Sequence, residues 1–394
     1  MLVERLLTEA TAIEQEVVAW RRYLHQHPEL SFHEHKTADY IEKVLHSFPH
    51  LQISRPTPTS VMARLVGAQS GKVLAIRADI DALPIEEETD LQFTSQATGA
   101  MHACGHDGHT ATVLGVAKVL SAHQAELAGE VRFIFQHAEE LPPGGAREMI
   151  AAGVMENVDA IIGAHLQSPI EVGKVGVVAG PMLASPDIFN ITIHGKGGHA
   201  AEPHTFIDSI AIGSQVVTNL QHLVSRYVKP TEPLVLSVTQ FNAGFTHNVI
   251  PESATLGGTV RCLQPALRED IRKQMEQVVK GITEAHGATY EFSYQYGYAP
   301  LINDASITAV VAEAITDLYG ADALYTIKPN MAADDFSAFL NCVPGTYFNI
   351  GAGNKEKGIV YPHHHPKFTI DEGALLIGMN VFLATTVKFL QNTN

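Results

Sequence analysis

An α/β protein with a mostly parallel sheet flanked by helices, carrying an inserted ferredoxin-like α+β domain, is the fold class this sequence predicts. Three observations lead there: β-rich apolar runs alternate with helical ones in the first half, the order becomes β-α-β-β-α-β in the middle, and the first rhythm resumes near the end. At 394 residues the chain is too long for one compact domain, since domains usually run about 100 to 200 residues.

The elements follow in order. Apolar residues at Leu6, Ile13, Val17 and Leu24 approximate helical spacing, and Pro28 separates that helix from a second one starting at Ser31, where Ser31 and Glu34 form a capping-box pair. Then come strand Val73 to Ala78, helix Thr110 to Ala122, strand Val131 to His137, helix Ala146 to Ala152 and strand Asp159 to Leu166. From about Ser185 the order is strand Ile188 to His194, helix Phe206 to Arg226, strands Leu234 to Phe241 and Ala254 to Leu263, helix Pro265 to His286 and strand Tyr290 to Tyr296. Turn residues bracket this block: Gly180-Pro181 before it, Gly297 and Pro300 after it. Helices at Ala305 to Tyr319, Asp334 to Leu340 and Glu372 to Leu390, with a strand at Thr346 to Ile350, complete the first domain. The expected division is therefore a discontinuous domain of residues 1–183 and 299–394, with residues 184–298 inserted.

Composition narrows the function classes. Lys plus Arg number 26 against 42 Asp plus Glu, and the net charge of −16 repels phosphate backbones and anionic membrane surfaces. Nucleic-acid and membrane partners are thus not expected. Cys104, Cys262 and Cys342 are odd in number and widely spaced, which suits a reducing compartment rather than a disulfide framework. The N-terminus, with Glu4 and Glu9, does not read as a secretory signal, and Ala374 to Val387 is shorter than the roughly 20 residues of a membrane span, so a cytoplasmic location is expected. Histidines number 21, more than the 16 Phe, and a surplus of imidazoles suggests metal or proton chemistry.

Four features carry that chemistry. Met101-His102-Ala103-Cys104-Gly105-His106-Asp107-Gly108-His109 gathers a thiol and imidazoles before a helix, with glycines that let the backbone bend around an ion; the bland alternative is a packed helix-start loop. Glu139-Glu140 follows an apolar strand, at the edge where open α/β sheets bind ligands, so one carboxylate can bind metal while the other handles protons; alone, such a pair reads as a solvated turn. His165 ends a strand, and His363-His364-His365-Pro366 precedes the last helix. Two motifs are decoys. His33-Glu34-His35-Lys36 lacks the spacing of H-E-x-x-H and reads as an exposed helix start, and Gly195-Lys196-Gly197-Gly198-His199-Ala200 lacks the downstream acid of a dinucleotide site.

Taken in order, Ala78 to Pro84, Met101 to His109, Ala138-Glu139-Glu140, His165, Gly195 to Pro203, Asn248-Val249-Ile250-Pro251, Gly258-Thr259-Val260-Arg261 and His364-His365-Pro366 resemble one family. It is the dinuclear-metal amidohydrolase and peptidase family of hippurate hydrolase, aminoacylase-type enzymes, plant auxin-conjugate hydrolases and, more distantly, carboxypeptidase G. The resemblance runs from Arg21 to the final helix and departs at Ala332-Ala333-Asp334-Asp335-Phe336, where relatives usually have Gly-Gly-Glu-Asp-Phe, and at Pro142, where Gly is common.

The resemblance implies two divalent ions, Mn ranked before Zn, with ligands Cys104, His106, Glu140, His165 and His364 and with Glu139 as base. His364 is chosen because the family pattern is His-x-Pro; His363 and His365 stay open as register alternatives. His199 and Asn248 on the inserted lid become candidate oxyanion donors, and Arg261 a candidate clamp for a substrate carboxylate. The expected reaction is hydrolysis of N-acyl-L-amino acids by a water shared between the ions, the partners being a small-molecule substrate and a second copy of the chain, in a homodimer or higher oligomer formed through the lid. A metallo-dipeptidase or carboxypeptidase on the same fold is the near alternative; a non-catalytic metal-dependent binding module is the distant one, and it has no use for the spare Glu139.

Overall fold

The computed structural model describes residues 2–391. By contacts the chain divides into two compact units: residues 1–180, 302–328 and 334–394 form the first, and residues 181–301 with 329–333 the second.

The first unit is built on an eight-stranded sheet. Its spatial order is Leu51–Ser54, Val61–Val66, Ala128–Gln136, Gln69–Asp79, Ala160–Glu171, Gly345–Gly353, Val175–Val177, Leu324–Thr326. The four central strands run parallel to one another, while the flanking pairings are mixed. Because side chains alternate along a strand, each central strand carries two sets of residues. One set, with Ile76, Ala78, Phe133, Phe135, Ile162, Ala164, Phe348 and Ile350, joins the main apolar core with the helices His106–Ala122 and Gly373–Gln391. The registers Arg77↔Ile134, Arg77↔Gly163, Asp79↔Gln136, Tyr347↔Gly163 and Asn349↔His165 put the polar set on the opposite face. The chemistry of the unit lies on and around that second face.

Gly373–Gln391, at 19 residues, is longer than the apolar stretch noted in the sequence and would be long enough to cross a membrane. It is 72% buried inside the molecule and serves as a core helix.

The second unit is a four-stranded antiparallel sheet in the order Leu234–Ala243, Ser253–Cys262, Ser185–His194, Thr289–Gln295. Helices Ser209–His222 and Pro265–Ala285 share its apolar core, through residues such as Val216, Leu220, Ile271 and Met275. This is the ferredoxin-like arrangement. Asp208 caps the first of these helices, accepting from the amides of Ile210 and Ala211.

Several local expectations are corrected. Two helices, Leu2–Ala12 and Glu14–Gln26, precede Pro28 where the spacing suggested one. The next begins at His35 and has no side-chain cap: Ser31 instead donates to Asp81, and Glu34, expected at an exposed helix start, is fully buried. The Asp334 to Leu340 helix shrinks to Ser337–Leu340, because both aspartates turn inward.

Candidate active site

The helix expected from Thr110 begins at His106, so the Met101–His109 cluster splits into a loop carrying Cys104 and a first helical turn carrying His106 and His109. Gly105 makes the junction at φ +97°, a left-handed conformation that favours glycine. Gly108 has another purpose: a Cβ there would lie 2.5 Å from Leu166 Cδ1, so the glycine permits close packing rather than a bend.

Glu139 and Glu140 leave the end of strand Ala128–Gln136 through Ala138, which has φ +50°. A non-glycine residue there costs of order 1–2 kcal/mol, and hydrogen bonds hold it in place. Ala138 N donates to Glu34 Oε1 at 2.7 Å, and Gly145 N donates to Ala138 O at 3.0 Å. Asp81 ties the turn to the helix: its Oδ2 accepts from Glu140 N at 3.0 Å and its Oδ1 lies 3.1 Å from His106 Nδ1.

Cys104, His106, Glu139, Glu140, His165 and His364 come together. Donor atoms of Cys104, His106 and His165 lie within 4.8 Å of one another, as do those of Cys104, Glu140 and His364, and those of His106, Glu139 and Glu140. Cys104 Sγ is 3.4 Å from His165 Nε2; Glu140 Oε1 is 3.2 Å from His364 Nε2 and 3.9 Å from His106 Nε2.

The backbone of Leu166 sorts the remaining histidines. Its carbonyl accepts from His165 Nδ1 and His363 Nε2, both at 2.8 Å, and its N–H donates to His109 Nε2 at 2.9 Å. With Nδ1 bound to a carbonyl, His165 presents the lone pair of Nε2 towards Cys104. His109 has both nitrogens engaged, since Nδ1 meets Asp79 at 2.5 Å, and so acts around the cluster rather than in it. His365 stacks on Tyr361 and accepts from Lys367 N, leaving His364 as the member of the triplet that faces Glu140. His102 is buried with neither ring nitrogen hydrogen-bonded among the described residues.

Burial works against a charged ring at His106, yet Asp79, Asp81 and Glu140 push its pKa up to about 10. Burial, with Asp334 and Glu140, holds Glu139 well above the ordinary carboxyl range, and burial with Glu140 and Glu139 does the same for the Cys104 thiol. His106 Nε2 is buried without a hydrogen-bond partner among the described residues, and Glu140 Oε1 meets only ring nitrogens, His364 at 3.2 Å and His106 at 3.9 Å. An unpaired buried ring nitrogen and crowded acids cost free energy unless something answers them. A thiol, three imidazoles and a carboxylate with open lone pairs fit divalent cations of the Zn or Mn type.

Beside the cluster lies a buried ionic group to which the sequence reading gave no role. Arg77 donates to Asp79 at 2.7 Å, to Asp335 at 3.1 Å and to Asp334 at 3.4 Å, while Gln136 and Ala146 N also donate to Asp335. Glu139, Asp334 and Asp335 have carboxylate oxygens within 4.8 Å of one another. The neighbouring acids Asp79 and Asp81, two apart at a strand end, were the available signal.

The remaining candidates, His199, Asn248 and Arg261, lie in the second unit. His199 pairs with Val249 on a two-stranded ribbon, Ala200 N donates to Asn248 O at 3.1 Å, and both His199 and Asn248 are exposed. Arg261 is half-buried and spends one donor on the carbonyl of Met331 at 2.6 Å.

A mixed α/β sheet with this donor set gathered beside its central strands defines a class, the metal-dependent hydrolases of amide bonds. The chain belongs to peptidase family M20/M25/M40, whose model matches residues 75–388. It is 62% identical over 301 residues to an N-acyl-L-amino acid amidohydrolase of Geobacillus stearothermophilus, covering 76% of this chain and 80% of that one. Thermostable carboxypeptidase 1 of Saccharolobus solfataricus is 38% identical over 98% of this chain and 99% of its own length. A crystal structure of a dinuclear metal-binding M20 peptidase from Bacillus subtilis superposes with a TM-score of 0.86 at 38% identity, covering 97% of this chain and 99% of that one.

Proposed function

We propose that the protein hydrolyses the amide bond of N-acyl-L-amino acids, using two divalent cations held by Cys104, His106, Glu140, His165 and His364. The observation that carries the reading is Glu139: a buried carboxylate that shares a group within 4.8 Å with His106 and Glu140, one residue from the ligand Glu140. When bound, the cations supply Lewis acidity and lower the pKa of a coordinated water towards about 7. Glu139 takes the proton of the attacking water and returns it to the leaving amine. Its burial, and the backbone anchoring of Ala138 before it, keep that carboxylate in one place. His199 and Asn248 are our candidate donors to the tetrahedral oxyanion, and Arg261, whose guanidinium keeps four further N–H donors, our candidate partner of the substrate carboxylate.

Mn is ranked first, as the family resemblance implies, and Zn second: the carboxylate tolerates Mn, while the thiolate and imidazoles suit Zn. The 62% identity to the Geobacillus amidohydrolase supports the N-acyl reading. We further propose a homodimer or higher homo-oligomer formed through the second unit, and a cytoplasmic location, which three free cysteines support. The second reading, a carboxypeptidase or dipeptidase, is supported by the 38% identical Saccharolobus enzyme. Metal-loaded protein assayed on N-acetyl and N-benzoyl amino acids and on dipeptides tests both: turnover of the acyl conjugates supports the first, and turnover of dipeptides alone replaces it with the second. Failure on every substrate leaves the non-catalytic binding module.

A further inference from the structure

Tyr347 stands on the central strand Gly345–Gly353 at 1% exposure, and its hydroxyl is buried with no hydrogen-bond partner among the described residues. Leaving such a group unsatisfied costs about 1–3 kcal/mol. Nothing else about the residue is loose. Asn303 holds its backbone from both sides, Oδ1 accepting from Tyr347 N and Nδ2 donating to Tyr347 O, each at 2.8 Å. The ring stacks on Phe336 at 4.9 Å between centroids and meets His165 edge-on at 6.4 Å. Directly across the sheet is Gly163, where a Cβ would come within 2.9 Å of Phe336 and 3.0 Å of Tyr347, so the strand gives up a side chain to seat these two rings.

The register puts Tyr347 on the polar face with Arg77, Gly163 and His165. The charged groups its phenol faces are Asp334, Asp79, Arg77 and Glu139. Phe336, on which the ring stacks, donates its N–H to Asp334 Oδ1 at 2.8 Å, and Asp334 in turn has an oxygen within 4.8 Å of those of Glu139 and Asp335; a phenol is an O–H donor at ordinary pH. A neutral donor beside the clustered carboxylates of Glu139 and Asp334 is well placed to share an ordered water with them, since buried waters typically make about three hydrogen bonds to otherwise unsatisfied groups.

We propose that Tyr347 is a positioning residue of the active site: its O–H donates to a buried water, which donates in turn to the Glu139–Asp334 carboxylates and fixes the orientation of Glu139. The proposal rests on the reading of Glu139 as base. Tyr347→Phe keeps the ring, its stacking and its seat against Gly163, and removes only the hydroxyl. On metal-loaded protein we expect kcat to fall about tenfold, the low end of what partners of active-site groups contribute, with KM, bound metal and melting temperature unchanged. An unchanged kcat overturns the proposal, and so does a loss of kcat accompanied by loss of metal or stability, which would make Tyr347 merely structural. A high-resolution crystal structure separates this from the wider reading. A water within about 3.2 Å of Tyr347 Oη and of a Glu139 or Asp334 oxygen is expected in the wild type; a dry hydroxyl overturns the role of Tyr347 whatever the substrate. A wild type that cleaves no acyl conjugate while keeping that water overturns the substrate assignment instead.

Discussion

Ala138 donates its backbone N–H to Glu34 Oε1 at 2.7 Å, across 104 residues of sequence. The bond joins the start of an N-terminal helix to the strained residue that delivers Glu139 and Glu140. Burial, with Asp81 near it, pushes the Glu34 carboxyl up to about 8 from 4.5, and Glu34 Oε2 has no partner among the described residues. A carboxyl raised in the fold favours folding below its unfolded pKa, and that contribution disappears as pH rises through about 8. Stability should therefore decline between pH 5 and pH 9, by an amount of a few kcal/mol from this group. Glu34→Gln keeps an acceptor for Ala138 and removes the titration, so the variant should gain on the wild type as pH rises. Urea unfolding at the two pH values measures the gain; an equal difference at both would refute it.

Glu139→Gln isolates proton transfer from metal binding. The amide is nearly isosteric and leaves Glu140 untouched, so elemental analysis should still find about two ions per chain, as in a two-metal mechanism. Turnover should drop by roughly 10² to 10⁴, the usual worth of positioned acid–base help. Activity within about tenfold of the wild type would remove Glu139 from the role of base.

The general fold and the stretches that carry the donor cluster were legible in the sequence for a physical reason, while the choice of ligands within those stretches came from the family resemblance. Strand ends and helix starts are local, and Glu139-Glu140 and Met101 to His109 sit at such junctions, whereas His165, expected to end its strand, lies inside Ala160–Glu171, which runs on five residues beyond Leu166. What stayed hidden was made by chain crossings. Arg77 lies 257 residues from Asp334, and only the sheet register and the return of the chain after the second unit bring them together. Ser31 and Glu34 matched a capping box by spacing, but the carboxylate found a buried amide 104 residues away and the hydroxyl found Asp81. Local pattern lost to tertiary partners there.

The histidine triplet can be separated one residue at a time. His364 Nε2 faces Glu140 at 3.2 Å, whereas His365 is stacked on Tyr361 and His363 is bound to Leu166 O. After chelation and reloading, His364→Ala should retain about one ion of the two and lose most activity, and His365→Ala should keep both ions. His363→Ala should act through folding, lowering the melting temperature before it changes metal content. Metal loss of equal size in the His364 and His365 variants would show that the register is wrong.

Arg77 offers the sharpest test of the ionic group beside Glu139. It is 2% exposed and is the cation placed against Asp79, Asp334 and Asp335, all of them buried. Removing one member of a buried pair strands its partners, at a cost of about 3–5 kcal/mol; Arg77→Met should cost in this range, because it strands Asp334 and Asp335, while Asp79 keeps His109 at 2.5 Å. Asp79 shows the same dependence from the other side, because burial opposes its charge but Arg77, His106 and His109 hold its pKa well below the ordinary range. A depressed carboxyl stabilises the fold above its unfolded pKa, near 4, and loses that effect as the pH falls below it. Arg77→Met should therefore be least damaging in acid, where protonation relieves the stranded acids, and most damaging near pH 8. The double variant Arg77→Met with Asp335→Asn should recover part of the loss, since one stranded charge is gone and the amide can still accept from Ala146 N. Unfolding free energies of the two variants at neutral pH decide the matter: a single variant within about 1 kcal/mol of the wild type, or a double variant no better than the single, would mean that Arg77 does not hold the acidic group together.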